Sequence, residues 1–456
     1  MSMFLVIALG TGWSQENNGG AVTESNVQGS LPQAQSGDSM PHEVDDFPAS
    51  DSGQWSIEPP PASSRSYLLA GISASEGAQS NPSWTSQDSS QVVSATNLSG
   101  AFDLVLSRRR SETGIDYLGS DTFYSSYGSL KLYNQPYQHL NAYQRIFWPR
   151  GHLTFRNLFG YISEANFGSS SLGGVAGSGG LPPFLGVSQV GEVGQAGYLT
   201  NVSSVDVTEA LRPRSSVFLA AAYSITDYLG NGGDLFNSRQ ASTRAGYNYI
   251  LTRRDTVGIA YGYRRFDYPV TDAGKVVTNS VQLVFQRQVS GRMDMVLAAG
   301  PEFINLSGGV GQNSQIGATV RAALHYRWER SSLIASYNRL VTAGSGVFLG
   351  GTSDIVLFSV HRTISRIWQA QVFVGYTHVS ALGLTSAAIA GNSYQYWSAG
   401  SVVRRRLGRS LSTFASYQFN EESSGGCGPS AGCIPAIRPQ RVSIGLAWSI
   451  RPIRLE

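Results

Sequence analysis

The chain reads as an all-β protein, an antiparallel transmembrane β-barrel of about 18 strands. Two observations predict this. Eight short, arginine-marked turns punctuate residues 66–450, each flanked by strand-length stretches that alternate apolar and polar residues. Between those turns run longer connections, so short and long links alternate along the chain. That asymmetry is the pattern of outer-membrane barrels, with short periplasmic turns and longer external loops.

Composition supports the same class. Charged residues make up 14% of the 456 residues, against roughly 25% in soluble domains, and aromatics reach 11% with 22 Tyr and 8 Trp. No run of about 18 consecutive apolar residues occurs, which excludes a helical span. A closed barrel is the other way to pair every backbone N–H and C=O within lipid.

Taken in order, Met1–Gly10 resembles the apolar core of a secretory signal peptide without its basic start, so residues 1–15 are expected to be a truncated signal. Residues 16–64 are rich in Ser, Gly, Pro, Gln and acids, the composition of a disordered periplasmic tail. The barrel is expected over 65–456, opening with the ascending strand Ser66–Ala74. Short turns fall near Arg108–Arg110, Pro149–Gly151, Leu211–Arg214, Thr252–Asp255, Ser290–Arg292, Glu329–Ser331, Ile364–Arg366 and Leu407–Arg409. Long connections fall near 75–97, 120–138, 163–196, 228–237, 269–274, 307–312, 344–352, 380–392 and 422–437. Eight turns and about nine loops require about 18 strands; the irregular segment 98–119 leaves 16 as the alternative.

The alternation assigns faces, because strand side chains repeat with a period of two. In Thr256–Tyr268, Val257, Ile259, Tyr261 and Tyr263 share one face, opposite Gly258, Ala260, Gly262 and Arg264. In Trp368–His378, Trp368, Ala370, Val372, Val374 and Tyr376 oppose Gln369, Gln371, Gly375 and Thr377. Val442–Ile450 repeats the scheme. The less apolar face is small and uncharged over long runs, as a wetted lumen wall would be. At 16–18 strands side chains no longer fill the interior, and an aqueous passage is the expectation. The glycine-rich connection 163–196 is the segment expected to fold inward and narrow it.

Net charge is +3 and implies no nucleic-acid partner. Its placement is more specific. Arg253, Arg254, Arg292, Arg330, Arg366, Arg405 and Arg409 lie at or beside short turns, forming a periplasmic basic collar that meets lipid headgroups or docks a partner. Connections lean acidic, with Glu164, Glu192, Asp234, Asp272, Glu421 and Glu422. By parity Arg264, Arg321, His325 and Arg327 line the pore. Cys427 and Cys433 bracket CGPSAGC, a spacing that suits a local disulfide in an oxidising compartment. The six histidines form no HExxH element and no GxSxG element occurs, so neither a catalytic site, a metal site nor a cofactor is expected.

The stretches GISASEGAQSNPSW, RGHLTFRNLFGYISEANFG, LTRRDTVGIAYGYRRFDY, GRMDMVLAAGPEF and GSGVFLGG resemble β-barrel porins of outer membranes, several of which accompany exopolysaccharide synthesis and export genes. The likeness spans most of residues 65–450, and its motifs are structural. It implies a bacterial outer-membrane pore for passive passage of solutes, with polysaccharide export as its most specific form. Outer-membrane lipid, the barrel-assembly machinery and a periplasmic export component are the implied partners. A structural or docking barrel is the alternative, and an outer-membrane hydrolase a more distant one. The chain departs from many barrels in continuing through Arg451–Glu456 after the strand containing Trp448.

Overall fold

A computed structural model describes residues 66–80, 92–125, 134–162, 197–229, 235–269, 274–307, 313–344, 346, 348–382, 393–425 and 438–455. The expected signal segment, the tail, the connection 163–196 and both cysteines lie outside those residues.

The chain runs through β1 (Ser66–Ser80), β2 (Val92–Arg108), β3 (Ser111–Tyr124), β4 (Gln135–Trp148), β5 (Gly151–Ile162) and β6 (Tyr198–Arg212). It continues through β7 (Ser215–Tyr228), β8 (Ser238–Ile250), β9 (Asp255–Asp267), β10 (Lys275–Ser290), β11 (Met293–Ser307) and β12 (Asn313–Arg327). The circuit ends with β13 (Ser331–Thr342), β14 (Gly351–Thr363), β15 (Trp368–Ala381), β16 (Ser393–Arg406), β17 (Leu411–Gly425), β18 (Gln440–Ser449) and the short β19 (Ile453–Leu455).

Each strand pairs antiparallel with its sequence neighbour, and β18 closes on β1 from Gly71↔Ser449 to Ser80↔Gln440. The result is a closed barrel of eighteen long strands. The residues beyond Trp448 have a structural role: β19 pairs Ile453 with Leu68 and Leu455 with Ser66, extending the closing seam. All eight expected turns are hairpin ends. The strands run further than expected at the opposite, loop end: β1 reaches Ser80 and β2 begins at Val92, because the polar Glu76, Gln79, Ser94 and Thr96 still alternate in register. Glu421 and Glu422 likewise belong to β17 rather than to a connection, and Glu422 is buried.

Burial follows the alternation. On β18, Val442, Ile444, Leu446 and Trp448 are exposed, whereas Arg441, Ser443 and Ala447 are buried. On β9, Ile259 and Tyr261 are exposed and Ala260, Arg264 and Phe266 are buried. Exposed Leu219, Leu283, Leu297, Val356, Phe358, Val372 and Val374 continue this outer apolar surface around the wall. Trp148, Trp328, Trp368 and Trp448 sit at its short-turn margin, and Tyr223, Phe303 and Trp397 nearer its loop margin. An apolar band bounded by aromatic residues is the surface a bilayer requires of a barrel. The chain is therefore a transmembrane β-barrel, and an even-stranded single-chain barrel of this kind belongs in the bacterial outer membrane.

The inner face carries a packing device the alternation alone does not reveal. Phe373 lies opposite Gly400, Phe414 opposite Gly445, Phe218 opposite Gly246 and Tyr143 opposite Gly114. In each pair a Cβ on the glycine would overlap the ring. The aromatic ring covers the strand position the glycine leaves bare, which pins cross-strand register.

Candidate functional site

The candidate site is the lumen, and the feature that enters it is the tip of the β13–β14 hairpin. Up to the pair Val320↔Arg339, β13 is part of the wall beside β12. Beyond that pair the two strands separate. Asn313–Thr319 of β12 pair with β11 alone, and Leu340–Thr342 of β13 pair with β14 alone.

The separated end of β13 has moved inside. Val341, with outward parity, is 1% exposed and packs with Phe266, Tyr268, Val276 and Ile304 on the inner side of β9–β11. The turn beyond it follows. Phe348 packs with Val379, Tyr394 and Tyr396, and Leu349 joins the Phe266 cluster. Gly344, Gly346 and Gly350 take φ of +87°, +77° and +80°, a region costly for residues with a Cβ, so the tight reversal depends on them. At its far side the Gly346 carbonyl accepts a 2.8 Å bond from the Phe236 N–H, in the connection between β7 and β8. That connection stands six strands further round the wall. In an 18-stranded barrel the chord is about 30 Å, so the tip reaches well into the lumen.

Leaving β12 strands the carbonyls along one edge of β13, and each needs a new donor. Three side chains supply them. Thr319 Oγ1 donates to the Arg339 carbonyl at 3.2 Å, Arg264 Nη1 to Val341 at 2.7 Å, and the Tyr268 hydroxyl to Ala343 at 3.2 Å. The residues 339, 341 and 343 alternate, as acceptors on one strand edge do. Burial pushes the Tyr268 phenol well above its ordinary range, which keeps it a neutral donor. Arg264 Nη2 also binds Glu302 Oε1 at 2.8 Å, with the two side chains 6% and 1% exposed. The guanidinium thus ties the wall at β11 to the tip, a fork that lysine could not reproduce.

Of the residues expected to line the pore, Arg264 is inward but engaged as this clamp. Arg321 stands in register with buried Ala298 and Asn338, on the inner face. His325 is opposite Asp294, whose Oδ2 binds Arg327 at 3.3 Å near the short-turn end. Sequence reasoning missed the acidic counterpart on β2 and β3. Asp103 and Asp116 are register partners; the Tyr67 hydroxyl donates to Asp103 at 2.8 Å, and the Tyr143 hydroxyl to Glu112 at 2.9 Å. Glu112 in turn faces Arg145 on β4. The lumen therefore carries an acidic strip on β2–β3, roughly half the circumference from Arg321 on β12.

The collar residues Arg253, Arg254, Arg292, Arg330, Arg366, Arg405 and Arg409 are all exposed and gathered at the short-turn end. Arg405 lies 5.5 Å over the Trp368 ring, the posture of an interfacial cation on an aromatic girdle. On the outer face, His378 Nε2 and Ser380 Oγ are 3.0 Å apart, and Asp354 is the register partner of His378. Asp354 instead accepts from Tyr337 at 2.7 Å and Arg339 at 3.1 Å, and His378 Nδ1 has no hydrogen-bond partner. Among the described residues the neighbouring carboxylate, Asp354, is engaged by Tyr337 and Arg339 rather than by that imidazole.

No family model and no curated protein matches the chain. Similar solved structures are outer-membrane proteins: OccAB2 of Acinetobacter baumannii (10% identity, 84% of this chain and 98% of that one, TM-score 0.42) and opdK of Pseudomonas aeruginosa (10%, 84% and 99%, 0.40). The ferric-catecholate import receptor Fiu of E. coli K12 is another (9%, 84% and 81%, 0.38). These likenesses are too distant to carry a function to this chain.

Proposed function

We propose that the barrel is an outer-membrane pore for small polar solutes, held narrow by the β13–β14 tip. One observation carries this reading: an 18-strand wall closed by β18 on β1, with Ser, Thr, Gln, Asn and paired charges turned inward. A barrel of this strand number is too wide for wall side chains alone to fill. On this reading the seated tip narrows the lumen so that small solutes, rather than a polymer, are what it passes. Export of a polysaccharide strand, the finer reading, would need the tip withdrawn; the hydroxyl- and amide-rich inner face suits a hydrated glycan in that state. The short-turn arginine collar would then face the periplasm and meet anionic headgroups or an export component. The test is planar-bilayer recording with the purified full chain. Discrete conductance steps are expected, and a folded, inserted protein that passes no current would refute the pore.

A further inference from the structure

One buried charge on the inner wall lacks a counterpart. Arg441, on β18 one residue from its loop end, points inward and is 9% exposed. No hydrogen bond or ion pair reaches its guanidinium among the described residues. The carboxylate in its neighbourhood, Glu76, stands on the outward face of β1 and accepts from Ser94 and Thr96 instead. Arg264, equally deep, has Glu302. A buried ion is ordinarily paired because withdrawing it from water alone is costly. A wall that keeps such a cation unpaired gives up stability, a cost typical of a position held for function.

Strand register builds a site around it. Arg441 pairs with Gln79 on β1 and with Gln418 on β17, so two amides flank the guanidinium on the inner face. They are 0% and 7% exposed, and Gln79 Nε2 has no hydrogen-bond partner. One rung nearer the short turns, Gly77 pairs with Ala95 and Ala95 with Tyr124. Those two small residues leave room for the Tyr124 side chain, whose hydroxyl lies 3.0 Å from Gln79 Oε1 and 2.7 Å from Gln135 Oε1. What the group lacks is an acceptor bearing one negative charge. A carboxylate supplies that, with two coplanar oxygens that match the guanidinium fork. We infer that Arg441, Gln79 and Gln418 form a binding site for a carboxylate-bearing solute at the loop-end mouth, a role that rests on the pore reading because the solute arrives through the lumen.

Planar-bilayer recording of the full chain tests this with D-galacturonate against D-galactose, a sugar of the same ring without the carboxylate. Added on the loop side at matched ionic strength, galacturonate should reduce wild-type current several-fold more than galactose. Arg441→Gln should abolish that difference. Arg441→Lys, which keeps the charge but not the fork, should retain part of it. A urea titration gives a readout independent of current: losing an unpaired buried charge should leave the Arg441→Gln midpoint unchanged or raise it. Equal block by the two sugars in a conducting wild type would overturn the site, as would a midpoint that falls in Arg441→Gln. Should the wild type pass no current, the pore reading fails. Calorimetry of galacturonate with the detergent-purified barrel then decides the site: binding lost in Arg441→Gln supports it, and no binding overturns it.

Discussion

Replacing Arg264 by alanine is the most informative single perturbation of the lumen. The guanidinium makes two charge-assisted contacts, 2.7 Å to the Val341 carbonyl and 2.8 Å to Glu302, and both ionic side chains are withdrawn from water. Truncation leaves Glu302 buried without this partner and the Val341 carbonyl without its donor. Removing one member of a buried pair costs about 3–5 kcal/mol. The barrel wall does not depend on the contact, because β9 keeps its full ladders with β8 and β10. Arg264 and Glu302 both stand on the wall, so the loss falls on the seated tip only in so far as the tip covers the unpaired Glu302 and leaves the Val341 carbonyl without its donor. Its upper bound is a shift toward release of roughly 150- to 4,000-fold. Single-channel recording of Arg264→Ala should show larger conductance, or frequent excursions to it, than the wild type. Arg264→Lys should lie between, since one ammonium cannot hold both acceptors in the fork geometry. Unchanged conductance in a variant that still shows folded-barrel mobility on unheated gels would refute the gate.

Other variants probe the wall and its field. Gly400→Leu should drive a side chain into the Phe373 ring and destabilise the barrel by about 1–3 kcal/mol in urea titrations; Phe373→Ala in the same chain should recover part of it, the Tyr417 carbonyl still crowding the new Cβ, and simple additivity would deny the pairing. Tyr268→Phe deletes the donor to Ala343 and should raise channel noise while leaving folding stability nearly unchanged; quiet wild-type openings would remove Tyr268 from the latch. Asp116→Asn should move the reversal potential in a salt gradient toward anion preference and Arg321→Glu toward cation preference; if neither moves it, these side chains do not border the conducting path.

The wall was legible in the sequence because its two signals are local. Turn chemistry marked all eight hairpin ends, and period-two alternation oriented Ile259, Val372 and Ile444 outward as observed. Strand ends at the loop side were drawn short, because Glu76–Ser80 and Val92–Asn97 carry polar outward residues above the apolar band. From sequence the inward tip reads as an external connection over 344–352, which the structure corrects. A signal existed: Val347, Phe348 and Leu349 form an apolar triplet where a water-exposed loop should be polar. The length and glycine content of 163–196 single out that connection instead. The pairing of Phe373, Phe414 and Phe218 with glycines was out of reach, since it needs strand register that alternation does not supply.

Two adjacent residues on β15 test the membrane barrel most directly. Val372 is exposed on the outer face, about 10 Å above Trp368 and close to the middle of the apolar band; Gln371, beside it, has inward parity. Folding free energy into lipid vesicles should fall by about 2–4 kcal/mol for Val372→Arg and change little for Gln371→Arg. Equal costs for the two, or a larger one for Gln371→Arg, would contradict a wall with lipid outside and water within.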